Sequence, residues 1–436
     1  MICPGTNTTN VFELRGSFPD IHVLIMYSGG YYQMNFDTGN TAFMLLSTSL
    51  VMLMTPGLAF FYGGLVGRKN VLAIMMQSFV SMGVTTILWF TVGYSLCFSG
   101  DFHGIIGNLD MAFFKGISPT DAFAGEGGIP LLVFIAYQMM FAIITPALIT
   151  GAFANRIRFG AYLIFLVLWL LFVYFPFVHM VWGGGLLQKW GVLDFAGGIV
   201  VHAIAGMAAL ASVFFVGKRE VNECGPHSIP LVALGTGLLW FGWYGFNAGS
   251  ELRVDSVTAL AFVNTDLAAS FAAITWLIIE WFHKGKPKFL GLLTGAVAGL
   301  ATITPAAGYV SPVSAVLIGI ISGIVCYLAV ALKNRLNRDD ALDVWGVHGV
   351  GGTIGVIMLG LFATKTVNAA GANGLLYGNA SFFVKQTVAV VGASIYAFVF
   401  TYVMLIIINK FTAVRVSRDE QDRGADEVLH GENAYL

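Results

Sequence analysis

Two histidines stand inside apolar stretches, each behind an aspartate. The first stretch runs from Trp182 to Arg219, with Asp194 near its start and His202 well inside. The second reads DVWGVHGVGG, with Asp343 at its start and His348 inside. A neutral imidazole has one donor and one acceptor, so two facing rings can share a proton end to end and hand it along. The plainer reading is two separate core histidines, each satisfied on its own. An ionisable group at membrane depth is costly, however, and ordinarily faces a cavity or a partner; that favours one shared site. A metal centre is disfavoured, because no third ligand has suitable spacing. Each aspartate fits two compatible roles, a cap for the helix that follows and a fixed negative charge that attracts a cation to the mouth. On an ideal helix His202 lies about 12 Å beyond Asp194, and His348 about 7.5 Å beyond Asp343, which argues against direct contact. Aromatic residues gather nearby: Trp182 before three glycines, Phe141, and Phe246 with Ser250 close behind it. Aromatic faces attract cations, tryptophan most strongly, by about 0.5–2 kcal/mol. A hydroxyl beside them can accept a hydrogen bond from a small N–H donor. On composition alone an interfacial aromatic belt is the simpler account of these rings.

Transmembrane helices are the elements that must position these groups. The chain has 436 residues, 57% hydrophobic and 10% charged, with mean hydropathy +0.80. Soluble domains carry about 25% charged residues, so the composition predicts an all-α polytopic membrane protein, with the lipid bilayer as its surroundings. A net charge of −1 points to no nucleic-acid partner. The four cysteines are scattered without a CxxC pair, and no nucleophile–base set or cofactor motif is visible, so neither an enzyme nor a cofactor is expected. Eleven apolar segments are long enough to span, at about 20 residues each. They lie near 41–64, 70–97, 130–154, 159–183, 196–216, 228–248, 257–281, 289–305, 311–332, 344–364 and 383–409, the eighth being the shortest. With the N-terminus outside, sixteen of the 22 Lys and Arg fall on inner loops and the tail and six on outer ones. The positive-inside rule then predicts N-terminus outside and C-terminus cytosolic. The expected organisation is an extracytoplasmic segment at 1–36 without a signal peptide, a transmembrane domain at 37–411 and a cytosolic tail at 412–436.

Eleven spans permit a five-plus-five-plus-one symmetry. The fifth and tenth share the aspartate–histidine pattern, and the first and sixth end in GLAFFYGG and GLLWFGWYGFNAG. An odd number of spans per repeat inverts the second copy, and inverted repeats place their site near the midplane. Gly291, Gly295 and Gly299 form a small-residue stripe suited to close helix packing. Asp266, inside the seventh span, needs a partner, at a subunit interface or at an irregular helix start. Asn7-Thr8-Thr9 is a lone glycosylation sequon.

Several stretches resemble the ammonium transporter (Amt/Mep/Rh) family, on the Amt branch: TPGLAFFYGG (55–64), HMVWGGGLL (179–187), the run from Asp194 to Arg219, GWYGFNAGS (242–250), DVWGVHGVGG (343–352) and HGENAY (430–435). The resemblance extends from about residue 37 to the end. It implies the ammonium transporter fold, eleven transmembrane helices in an inverted five-helix repeat plus one, and a homotrimer with one pore per subunit in the cell membrane. It also implies that His202 and His348 are the twin pore histidines. Phe141, Trp182 and Ser250 would form the outer ammonium site, Phe141 and Phe246 the stacked gate, and Asp194 the family's essential aspartate. The tail is implied to pack beneath a neighbouring subunit and to offer a surface to a PII-type nitrogen-signalling protein. Lys284, Lys286, Lys288, Lys333, Arg335 and Arg338 are expected to form the basic floor on which it docks. The implied activity is ammonium uptake: the ion sheds its water and then a proton, since a bare cation is costly in an apolar pore, and ammonia passes the histidines. Two other classes are an ammonium sensor signalling through its tail and a channel for neutral gases, against which Trp182 and Asp194 argue. The chain departs from the family pattern at Asn155, where relatives often have Glu, at Asp266, where an uncharged residue is expected, at Ala425, where a larger apolar residue is usual, and in its N-terminal extension.

Overall fold

A computed structural model describes residues 36–125, 128–221 and 225–435. The sequon at Asn7 and nearly all of the 1–36 segment lie outside the described residues. Among the described residues ten helices are long and apolar enough to cross a bilayer. They are α1 (Thr38–Leu65), α2 (Arg68–Phe98), α3 (Leu131–Phe153), α4 (Phe159–Trp190), α5 (Gly198–Val216), α6 (Ile229–Glu251), α7 (Ser256–Lys284), α9 (Pro312–Arg335), α10 (Trp345–Phe362) and α11 (Ala380–Phe411), with the shorter apolar helix α8 (Phe289–Ile303) between α7 and α9. Their starts follow from local chemistry. Asp37, Ser228, Ser311 and Asn379 each accept a backbone N–H in the first turn of α1, α6, α9 and α11, which satisfies donors that have no partner inside the helix. Asp255 and Thr258 cap α7 reciprocally.

The eighth span is short for a physical reason. Its 15 residues reach about 22 Å, against a hydrocarbon core of about 30 Å. The chain then leaves the helix while still buried: Thr304, Ala306, Ala307 and Val310 are fully shielded. Irregular backbone at that depth requires partners from the protein itself. Asn264 Nδ2 donates to Ala307 O and Val310 O, both at 2.8 Å, and Asn368 Nδ2 donates to Gly308 O at 3.1 Å. Phe195 N and Thr364 N donate to Pro305 O and Tyr309 O.

The glycine stripe does what its spacing predicts. A Cβ on Gly295 or Gly299 of α8 would collide with Trp276, Ala268 or Ala272 of α7, so the two backbones lie in close contact. A second close crossing joins α5 to α10. A Cβ on Gly206 would overlap the backbone of Gly349, and one on Gly352 would meet Cβ of His202. Both of these helices open on a wide turn: His202 N bonds Gly197 O and Val350 N bonds Trp345 O, each five residues back. Such turns are rare and cluster at functional sites.

The C-terminal segment belongs to the same compact unit as the helices. Arg158 N donates to Val414 O and Val416 N to Arg156 O. A short helix, α12 (Arg418–Arg423), starts at a Ser417–Glu420 capping box, and Glu420 pairs with Arg158 at 2.6 Å. Asp426 accepts from Leu72 N (3.1 Å) and Ala73 N (2.8 Å) near the start of α2, and Tyr435 OH meets His227 at 2.8 Å. The tail therefore rests on the connections after α1, α3 and α5 of its own chain. On the basic loops at Lys284–Arg338, Lys284 pairs with Glu280 and Lys333 with Asp343. Ala425 is buried and its N–H donates to Asn70 Oδ1 at 2.8 Å; a larger side chain would have to find room there. Asn155 sits at φ +64°, a left-handed conformation that asparagine tolerates and most other side chains avoid. Asp266 is not at a helix start. It accepts from Trp240 Nε1 (3.1 Å) and Tyr244 OH (2.7 Å) of α6.

Candidate functional site

Asp194 organises the start of α5. Its Oδ1 accepts from Gly197 N (2.9 Å) and Gly198 N (2.6 Å), and its Oδ2 from Ile199 N (2.7 Å) and Val200 N (3.2 Å). Gly197, at φ +112°, lets the chain turn back over the carboxylate, a conformation open to glycine. The side chain is 5% exposed, so these four N–H groups replace water as its surroundings. Its backbone carbonyl accepts from Trp182 Nε1 at 2.8 Å. One residue thus ties the Trp182 ring to the helix that carries His202.

Trp182 is braced from behind as well. His179, about one turn earlier, is fully buried and bonds Cys97 O (2.9 Å) and Asp101 Oδ1 (3.2 Å). Lys189 holds the other Asp101 oxygen at 2.5 Å. The bonds from Lys189 and His179 lower the Asp101 pKa to about 2, so this carboxylate stays charged at neutral pH.

From Trp182 a file of rings runs inward. Trp182 meets Phe141 edge-on, with centroids 5.9 Å apart and planes at 86°. Phe141 and Phe246 lie 4.3 Å apart, Phe246 and His202 6.0 Å, and His202 and His348 5.3 Å at 24°. The two Nδ1 atoms are 3.3 Å apart. A bond between them requires complementary tautomers, one ring with its proton on Nδ1 and the other with its proton on Nε2. His202 Nε2 is buried and meets no partner within the protein. Beside the pair is a cavity of about 10 Å³ lined by Met54, Leu58, Ile144, Leu148, Leu239 and Val297 among others. That is at or below the space one water needs, and the surface it exposes is apolar.

A cavity of about 190 Å³ lies at the Trp182 end, lined by Phe141, Trp182, Ser250 and Gln138 among others. The Ser250 hydroxyl donates to Phe246 O at 2.9 Å. The Tyr137 hydroxyl, 3.3 Å from Ser250 Oγ, has Gly245 O and Phe246 O as acceptors, both at 2.9 Å. Both hydroxyl protons are therefore used on backbone carbonyls, which leaves Ser250 oxygen lone pairs for an N–H donor. Tyr137 and Gln138 were not singled out from the sequence. Their signal is helical spacing: they lie four and three residues before Phe141, so they flank it on one face of α3.

At the other end the assignment of Asp343 needs correction. It does not cap α10. Asp340 does, with Oδ1 accepting from Val344 N (3.1 Å) and Oδ2 from Trp345 N (2.8 Å). Asp340 precedes His348 by the same eight residues that separate Asp194 from His202, so it is the positional counterpart of Asp194. Burial, and then the neighbouring Asp343 carboxylate, raise its pKa to about 6. Asp343 takes φ +59°, turns away from the helix and pairs with Lys333 at 2.6 Å. It shares with His348 the lining of a cavity of about 200 Å³. Replacing Asp340 with alanine should lower stability by about 1–2 kcal/mol, the worth of a lost cap. Asp343→Ala should cost less than that, because the buried Lys333 keeps its bond to Asp340 O at 2.9 Å. Thermal unfolding of the two purified variants measures both, and the reverse order would show Asp343 to be the support.

The structure thus brings Trp182, Phe141, Phe246, His202 and His348 into one continuous line, with Ser250 on the cavity at the Trp182 end and Asp194 bonded to Trp182. The profile of the Ammonium Transporter Family matches residues 42–435. An ammonium transporter from Bacillus subtilis (strain 168) is 47% identical over 401 residues, covering 91% of this chain and 98% of its own. Ammonium transporter Amt1 from Archaeoglobus fulgidus is 46% identical over 400 residues, covering 91% and 99%. Among solved structures, the crystal structure of Candida albicans Mep2 aligns with a TM-score of 0.83 at 37% identity, covering 88% of each chain. The chain belongs to the ammonium transporter family.

Proposed function

We propose that this protein takes up ammonium through a narrow apolar pore in each subunit, lined at its centre by His202 and His348. Phe141, Trp182 and Ser250 recruit the ion at the outer mouth: the ring faces attract its charge and Ser250 accepts one of its N–H bonds. Phe246 with Phe141 forms the gate. Past the gate the walls are apolar, and a bare cation there would lose its solvation without replacement. The ion therefore gives up a proton, and ammonia moves along the histidine pair, whose shared Nδ1–Nδ1 bond offers a path for that proton. Asp194 supports the site by holding both Trp182 and the start of α5. Asp343 contributes negative charge on the inner side. The observation that carries this reading is the unbroken run of ring contacts from Trp182 to His348.

The N-terminus lies outside and the tail in the cytosol, in line with the excess of Lys and Arg on the tail-side loops. The working assembly is a homotrimer, whose tail surface (412–436) receives a PII-type signalling protein. The direct test is purified protein in liposomes under an ammonium gradient, reading internal pH and current. Saturable uptake is expected, and a flux no different from empty liposomes would overturn the reading.

The tail has its own expected outcome. Deleting residues 412–436 removes the Asp426 bonds to Leu72 N and Ala73 N near the start of α2 and the Glu420–Arg158 pair. The remaining trimers should transport less, lose PII binding and unfold at lower temperature, by about 1 kcal/mol for the lost cap alone. Uptake, pull-down and thermal unfolding on trimers of verified size check it. Unchanged uptake with undiminished PII binding would make the tail a passive end.

A further inference from the structure

We propose that Gln138 completes the outer cation site and sets its preference for ammonium over methylammonium. This rests on the outer-site reading above. Gln138 is 9% exposed and lines the same cavity as Phe141, Trp182 and Ser250. Its Oε1 is buried and meets no donor within the protein. A buried carbonyl oxygen ordinarily has a partner, and leaving one unmet is unfavourable. The other amide on this cavity, Gln188, has its Oε1 taken by Gly184 N at 2.8 Å. Gln138 is thus the side-chain amide there whose oxygen is uncommitted.

Counting donors gives the unmet oxygen a role. Ammonium presents four N–H bonds in a tetrahedron. The faces of Trp182 and Phe141 and the oxygen of Ser250 receive three of them. Gln138 stands one turn before Phe141 on the same face of α3, and with its amide turned so that Oε1 faces the cavity it receives the fourth. Methylammonium has three N–H bonds and a methyl group, so it needs no fourth acceptor. The amide therefore favours the unsubstituted ion over its methylated form.

The test is transport by purified Gln138→Leu and Gln138→Glu in liposomes, with ammonium and methylammonium as substrates and Trp182→Leu as control. A hydrogen bond to a charged donor corresponds to about a tenfold change in affinity or more. Gln138→Leu should therefore raise half-saturation for ammonium about tenfold and for methylammonium about twofold or less, so the preference falls about fivefold. The effect should fall on half-saturation more than on maximal rate. Gln138→Glu keeps the acceptor and should keep the preference. Trp182→Leu should weaken both substrates alike. An equal change for both substrates in Gln138→Leu would assign Gln138 a packing role and overturn the proposal, as would no change at all while Trp182→Leu still weakens both. If Trp182→Leu also leaves half-saturation untouched, the outer-site reading itself fails.

Discussion

Replacing either His202 or His348 with alanine is expected to abolish selective ammonium transport, with uptake falling about 100-fold or more, the scale on which positioned proton-transfer groups act. The two rings share a single bond at 3.3 Å, so removing one leaves the other without its proton partner. The surrounding side chains are apolar and cannot stand in. The variants should still fold. His202 stacks on Trp243 and Phe246 and His348 stacks on His202, but neither ring holds a backbone group at a helix end. Truncation at His202 opens space beside a cavity that now holds at most one water, and water entering there would weaken discrimination against other cations. Uptake and selectivity against potassium, measured on protein eluting at the native size, decide the matter. Wild-type uptake and selectivity in both variants would sink the role of the pair.

The second large effect is expected at Asp194. Alanine there removes the acceptor from four backbone N–H groups in a site that is 5% exposed. A buried donor left without a partner costs about 1–3 kcal/mol, and partial relaxation of the turn still leaves an expected loss of about 3 kcal/mol or more. The damage should reach function, because the Asp194 carbonyl also positions Trp182. Asparagine distinguishes charge from geometry less cleanly than its shape suggests. Each carboxylate oxygen receives two N–H groups, so the amide keeps one acceptor and sets its NH2 against two donors. Asp194→Asn should therefore lie between wild type and Asp194→Ala in both unfolding temperature and uptake. Full transport by the asparagine variant would show that the negative charge is not needed. An alanine variant with wild-type unfolding and uptake would remove Asp194 from the site altogether.

Much of this site was legible in the sequence. Apolar length decides what can cross a bilayer, and all eleven segments reappear as helices, their ends within about three residues of those expected except the fourth, which runs on to Trp190. His202 and His348 stood out because an ionisable group in such a segment must find a partner. The Asp194 cap followed from the type of residue at the head of a helix.

Asp343 shows where local pattern fails. In sequence it sits at the head of the tenth span just as Asp194 sits near the head of the fifth. The cap is instead Asp340, because a left-handed turn at Asp343 points that side chain at Lys333, on another helix. The tail's contacts within its own chain, to Arg158 and the start of α2, had no local signal either. Tyr137 and Gln138 were hidden for another reason. Helix α3 is apolar around nearly its whole circumference, with 78% of its membrane window buried, so no polar stripe marks the face that meets the cavity.

The sequence by itself therefore determined the spans, their order and the ionisable residues that need partners. Burial of apolar surface is non-directional and additive along the chain, so it can be read segment by segment. The tertiary structure decided the pairings: His202 with His348 across 146 residues, Tyr137 beside Ser250 across 113, and the ring order from Trp182 inward. Hydrogen bonds and ring contacts are directional and short-ranged, and their partners meet only after glycines such as Gly206 and Gly349 let two helices cross closely enough to bring them together.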